Sequence, residues 1–409
     1  MAQQSPDYRR LWLEEQCKRE EEQRKREEAE RALKEKTRET TLAEQAKEEE
    51  KQAKELLEER ARETTLPEFL DACHVHLYSG LAVQTATLST RGDPANANNK
   101  IRPERTRAWE DFHARQEAIW DDLMESDFIL ERHFTSLHTL EEMGKATRRK
   151  MMGSELDLNY FQRSTVEDHI SSIIEQLYNN PTLRKFRLKA SVKFENHANT
   201  LSPTWQLEEG VQQMSVSGNQ RRRSPRLQAR AKQTKPPDSA AAATAGAARS
   251  SRPRADQFCV YNTSSETQNT EHRIPAFIIK YKAPHKLTLG YIYEGLDDME
   301  LEDVVRCRET DSPQDHFRRL LAAIITQTFS YMFQAGLEYG CICTGEAFIF
   351  LRVPDDPRTV YYFLSVPKGD VGKKTGWAPD SDGGNRLHLT AVEQMLAFTL
   401  QALKTPPRG

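Results

Sequence analysis

The chain has 409 residues, a formal net charge of -3, 37% hydrophobic residues and 30% charged ones. That length suits two or three domains, and a charged fraction above the usual quarter implies that part of the chain lies outside a packed core. No apolar run approaches the roughly 18 residues that span a bilayer, Met1–Arg10 lacks a secretory-signal stretch, and six scattered cysteines (Cys17, Cys73, Cys259, Cys307, Cys341, Cys343) make no disulfide framework, so a reducing intracellular compartment is expected.

Charge is segregated along the chain. Residues 14–63 hold 18 acidic and 14 basic side chains. Residues 9–63 contain no Gly or Pro, and their Glu, Lys, Arg, Ala and Gln favour helix. Opposite charges recur at i,i+3 and i,i+4, which supports an exposed helix. A coiled-coil seam needs apolar residues at a and d. The candidates are few: Ala29, Leu33, Ala43, Ala46, Ala53, Leu56 and Leu57. Residues 1–63 are read as a charged helix, either solvated alone or self-associating through 9–63 as a weak coiled coil. The string Arg-Glu-Thr-Thr-Leu occurs at 38–42 and again at 62–66. The patterns Thr41-x-x-Glu44 and Thr65-x-x-Glu68 predict a helix restart at each copy.

Residues 64–150 read as a helical region. Helical spacing with aromatics marks 66–78, 107–125 and 127–150, around a turn-rich loop at 91–104. Residues 151–206 open an α/β core. Val166, Ile170, Ile173, Ile174 and Leu177 share one stripe of a helix over 164–178, and 191–195 alternates like a strand. Residues 207–254 break the pattern. Between 219 and 254 ten basic residues face one acid, Asp238, a local charge of +9 beside Pro236-Pro237 and an Ala-rich run. Such composition buries too little apolar area to fold, so this is read as a disordered basic insertion. Its Arg221, Arg222, Arg223, Arg226 and Arg230 suit nucleic-acid phosphates or a nuclear-import signal, or form a solvated linker. No aromatics interleave there, so base stacking is not expected.

The core resumes over 255–409. Strands are predicted at 257–261, 275–282, within 339–353 and at 359–366, with helices over about 314–335 and 388–404. Pro354-Asp355-Asp356-Pro357 turns one strand into the next. The succession predicts an α/β layer fold.

Several familiar motifs fail. Gly372-Lys373-Lys374-Thr375 lacks the spacing and following helix of a phosphate loop, His-Glu-x-x-His is absent, and Cys341-x-Cys343 has no second metal-spaced pair. One constellation carries chemistry. Asp256 starts a strand, and Lys280 and Lys282 near the end of the next share a sheet face because the strand period is two. A carboxylate at 256, another at 280 and a lysine at 282 would make a Mg²⁺-dependent phosphodiesterase.

In that order of elements the chain resembles the PD-(D/E)xK nuclease core, a three-layer mixed sheet flanked by helices. The resemblance implies further roles. Gln327 and Tyr331 match the Gln-x-x-x-Tyr element of the RecB-like members, so the implied catalytic set is Asp256, Lys280, Lys282, Gln327 and Tyr331. Glu167 stands on the first helix, where many members place a second metal-linked acid beside one such as Asp256. The block Tyr281-Lys282-Ala283-Pro284-His285-Lys286-Leu287, with Cys343–Leu351 and Pro354–Pro357, also resembles a widespread and largely uncharacterised family of fungal proteins over about 65–405. That family usually has glutamate before the Tyr-Lys-Ala-Pro-His-Lys string, whereas this chain has Lys280. The exchange shifts local charge by two units. Each unit charge at about 4 Å and an effective dielectric near 20 is worth on the order of 4 kcal/mol. Glu167, Glu195 or Glu346 would have to replace the lost ligand for the site to hold Mg²⁺. The residues also have plainer readings: a strand-ending Asp256, a solvated Lys282, a first-turn Glu167 and a packed Gln327–Tyr331 pair.

A divergent nuclease-like protein is therefore expected, with weak or lost catalysis, contacting nucleic acid or a protein partner. The alternatives are an active Mg²⁺-dependent nuclease with a relocated acid, and a non-enzymatic scaffold acting through the N-terminal helix.

Overall fold

The computed structural model describes residues 8–84, 100–180, 188, 191–196, 256–264, 271–305, 312–379 and 384–408. The basic insertion with Arg221, Arg222, Arg223, Arg226 and Arg230 lies outside these residues. The chain forms two units, Met1–Arg62 with Ser136–His138, and Glu63–Thr135 with Thr139–Gly409.

The first unit is dominated by one helix, α1 (Tyr8–Ala61). It is held by i,i+4 ion pairs such as Arg19–Glu15 at 2.9 Å and Lys34–Glu30 at 2.7 Å. The restart expected at Thr41 does not occur. The hydroxyls of Thr40 and Thr41 donate back to the carbonyls of Lys36 and Thr37, at 2.7 and 2.8 Å, and the helix runs on. The second copy of the string does start a helix, α2 (Leu66–Ala72), with a complete capping box between Thr65 and Glu68. Pro67 distinguishes the copies. It has no N–H and its ring clashes with the carbonyl four residues back, so a helix cannot pass through it; Ala43 permits passage.

The second unit is a mixed α/β fold built on an eight-stranded sheet. Two short strands, β1 (Ala82–Val83) and β3 (Met151–Met152), pair separately. The sheet strands are β2 (Arg105–Ala108), β4 (Val192–Glu195), β5 (Gln257–Ser264), β6 (Glu271–Tyr281), β7 (Met299–Glu300), β8 (Tyr339–Cys343), β9 (Phe348–Arg352) and β10 (Thr359–Ser365). Their order is β4-β5-β6-β8-β9-β10-β2-β7. The pairs β6–β8 and β10–β2 are parallel, and the others are antiparallel. The expected antiparallel pairing of β9 with β10 across the Pro-Asp-Asp-Pro turn is present. Residues 64–150 contribute β2 to this sheet as well as helices α3 (Phe112–Met124) and α4 (Leu137–Arg148). Pro275 cannot donate to a ladder, and the register with β5 shifts at Cys259/Val260 beside it.

Period-two alternation divides the sheet's side chains between two helix layers. Ile278, Ile342 and Ile349 pack with Leu321, Ile325 and Phe329 of the helix Pro313–Gln334. On the other face Phe277 and Phe350 meet Phe398 of the helix Ala391–Leu403, with ring centroids 5.1 and 4.6 Å apart. Helix α5 (Glu155–Gln162), a π-helical turn (Arg163–Glu167) and α6 (Asp168–Asn179) run consecutively. The predicted stripe Val166, Ile170, Ile173, Ile174 and Leu177 is wholly buried.

Candidate functional site

The ends of β5 and β6 bring three predicted residues together. Gln257 pairs with Ile279, so Asp256 falls opposite Lys280. The Asp256 carboxylate accepts from Lys280 Nζ and from the Tyr281 backbone N–H, both at 2.8 Å. Lys282 directly follows β6, its backbone N–H donating to the Cys343 carbonyl at 2.9 Å. Its side chain is 18% exposed and its nearest carboxylate is Glu155, at 4.0 Å. Lys282 Nζ makes no hydrogen bond among the described residues. Burial, and next the Lys280 charge, depress its pKa. Beyond the strand, Lys286 and Leu287 donate to the Ala283 carbonyl at 2.8 and 3.2 Å, a tight turn that places Lys286 Nζ 3.7 Å from the same Glu155 oxygen.

Sequence reasoning missed Glu155 and Lys286 as site residues. The signals were present. Ser154-x-x-Asp157 marks a helix start, with the Asp157 N–H donating to Ser154 Oγ at 3.1 Å, and Lys286 lies in the block that carried the fungal resemblance. The turn between β8 and β9 seats α5 nearby. Gly345 there has φ +85°, a left-handed conformation that strains any L side chain, and Leu158 Cδ1 lies against it.

Glu167 lies on the other side of the sheet from Asp256. Gln257 and Tyr281 alternate to that face, and Glu167, 1% exposed, takes hydrogen bonds from Gln257 Nε2 at 3.0 Å and from the Tyr281 hydroxyl. Asn159 Nδ2 donates to Gln257 Oε1 at 3.3 Å. Burial pushes the Glu167 carboxyl up to about 8 against the pull of these bonds. It buttresses the strand ends and does not share a binding face with Asp256.

Gln327 and Tyr331 are also apart from the lysines. Both are half-buried in the C-terminal half of the helix Pro313–Gln334. The Tyr331 hydroxyl accepts from Lys100 Nζ at 3.0 Å, and that ammonium lies 4.1 Å from the ring centre. The helix end leads into Tyr339, the start of β8, whereas Lys282 bonds the carbonyl of Cys343 at its other end. Tyr331 therefore stands toward the opposite end of the strands. The other acids considered as replacement ligands have other neighbours. Glu195 pairs with Arg273 at 3.3 Å, and Glu346 is half-buried with Lys368 as its charged influence.

The donor set does not suit Mg²⁺, which takes several oxygen ligands in octahedral geometry. Asp256 is occupied by an ammonium and an N–H, Glu155 faces two lysines, and Glu167 is behind the sheet. Among the described residues no group of three His, Cys, Asp or Glu is placed to hold a metal ion. The Cys341 and Cys343 thiols are core residues, raised in pKa first by burial.

A family model described as the Spore killer 2 N-terminal domain matches residues 65–407. The chain belongs to this family. The matched stretch begins at the Thr65 capping box, so α1 lies before it. A relative within reach of this Spore killer 2 domain is the meiotic driver SPOK2 of Podospora anserina. It is 26% identical over 352 residues, which cover 83% of this chain and 42% of that protein. The chain thus spans less than half the length of that relative. No solved structure matches the chain. Among the described residues no helix is long and apolar enough to cross a membrane.

Proposed function

We propose that this Spore killer 2 N-terminal domain is a divergent PD-(D/E)xK-like module that binds nucleic-acid phosphates without a resident metal ion, its cleavage chemistry lost. The observation that carries the reading is the Lys280 ammonium 2.8 Å from Asp256, standing where a second carboxylate would complete a divalent-ion site. The cleft keeps its anion-binding capacity. Lys282 is largely desolvated yet lacks a hydrogen-bonded partner among the described residues, and Lys286 is held beside it. A phosphate oxygen bonding Lys282 would relieve its repulsion from Lys280. The Arg221–Arg230 segment would add nonspecific contacts to the same backbone. In a relative of a meiotic driver, such a module would supply recognition of nucleic acid.

The test is cleavage of single- and double-stranded DNA and of RNA with Mg²⁺ or Mn²⁺. The natural chain should leave all substrates intact, and Lys280→Glu should gain metal-dependent cutting. Cutting by the natural chain would replace this reading with that of an active nuclease. No gain on Lys280→Glu, with the variant folded and Mg²⁺ still unbound, would remove the nuclease lineage from the account.

A further inference from the structure

The cleft contains one acid that its tight ion pair does not use. Asp256 is committed to Lys280 and the Tyr281 N–H. Glu155 is shared between Lys282 at 4.0 Å and Lys286 at 3.7 Å, longer than a hydrogen bond to either. Its side chain is 37% exposed, so rotation about its own bonds takes it to water. The backbone beneath stays in place, because the Leu158 N–H donates to the Ser154 carbonyl at 3.2 Å and Ser154 caps the helix. Outside the cleft the carboxylate still lies in the first turn of α5, where the helix end favours negative charge.

We propose that Glu155 is a built-in competitor for the cleft's ligand, which it yields only to an anion able to bond Lys282 and Lys286 together. This rests on the reading of the cleft as a phosphate site. Three ammoniums, Lys280, Lys282 and Lys286, face two carboxylates, Asp256 and Glu155. With Glu155 swung out, the ligand meets a charge one unit more positive. A halide ion, with a single acceptor centre, would exchange one long-range contact for another and gain little. A phosphodiester shares its single negative charge between two non-bridging oxygens and can place one on each lysine, replacing two long contacts with two charge-assisted hydrogen bonds. Glu155 thereby selects for anions with two acceptor oxygens, such as a phosphodiester, over monatomic ones.

The experiment is binding of a fluorescein-labelled single-stranded DNA to the full chain at fixed ionic strength. Glu155→Gln should tighten binding roughly threefold to tenfold, the scale of a partly exposed charge pair. Glu155→Asp, too short to reach both lysines, should tighten it as well while keeping the first-turn charge. Misfolding does not raise affinity, so a gain is diagnostic. Unchanged or weaker binding in both variants overturns the competitor role. The double variant Lys282→Ala/Lys286→Ala separates this from the parent reading. If that variant loses binding while the Glu155 variants match the natural chain, the phosphate cleft stands and the competitor falls. If it binds as tightly as the natural chain, the cleft is not the phosphate site and both fall.

Discussion

Glu167 is a carboxylic acid kept largely neutral by its surroundings, and that has a measurable consequence. Its folded-state pKa, about 8, is above the ordinary carboxyl value of 4.5, with burial as the leading cause. The folded chain therefore holds a proton that the unfolded chain releases. This contribution to stability is complete below about pH 4.5 and is lost as pH rises through about 8. Glu393, wholly buried in the first turn of Ala391–Leu403, is pushed in the same direction by burial. His169, which burial lowers to about 4, works the opposite way below pH 6.5, so the test is a difference: we predict that, by denaturant unfolding, Glu167→Gln loses less stability than the natural chain between pH 6.5 and pH 8.5. An equal loss would show that Glu167 is ionised in the fold. Residue-level roles were only partly legible in the sequence. The meeting of Asp256 with Lys280 was legible because two adjacent strands were predicted around them and strand periodicity is a local rule. Glu167 and Glu155 lie on consecutive helical segments, and which of them turns toward the lysines depends on how the π-helical turn Arg163–Glu167 rotates the chain. No spacing rule contains that.

At the scale of elements, α1 shows what local chemistry decides. Reading every seventh residue from Glu28 gives Glu28, Glu35, Leu42, Glu49 and Leu56, so any seam through the leucines is interrupted by carboxylates. Leu33, Leu42, Leu56 and Leu57 are all more than half exposed. Surface i,i+4 pairs are worth only about 0.3–0.5 kcal/mol each, but α1 carries several. We expect a solvated single helix, and hence a monomer by sedimentation for both the full chain and a chain starting at Glu63. A dimer that disappears on truncation would instead assign self-association to residues 9–63. Long apolar elements such as Pro313–Gln334 and Ala391–Leu403 were read from the sequence within a few residues. Strand Arg105–Ala108 was missed. Its four residues, Arg-Thr-Arg-Ala, bear no apolar alternation, and its place is fixed by parallel pairing with Thr359–Tyr362, more than 250 positions away.

For the whole molecule, the layers explain why the site stands where it does. The start of β5 meets the end of β6, and backbone pairing there sets Asp256 opposite Lys280 with Lys282 just beyond. The Glu167–Tyr281–Gln257–Asn159 network holds the same strand ends from behind. Tyr331, also implied by the nuclease resemblance, binds Lys100 toward the far end of the sheet, so the cleft departs from the nuclease pattern in a second place. Both departures remove groups that would serve metal chemistry and leave the lysines intact. The most direct measurement is the affinity of the full chain for single-stranded DNA in EDTA and in Mg²⁺, with Lys282→Ala beside it. The account predicts affinity in EDTA at least as high as in Mg²⁺, which competes for the phosphates, and a loss of about tenfold or more in Lys282→Ala, the scale of one hydrogen bond to a charged group. Binding that requires Mg²⁺ and ignores the loss of Lys282 would contradict it.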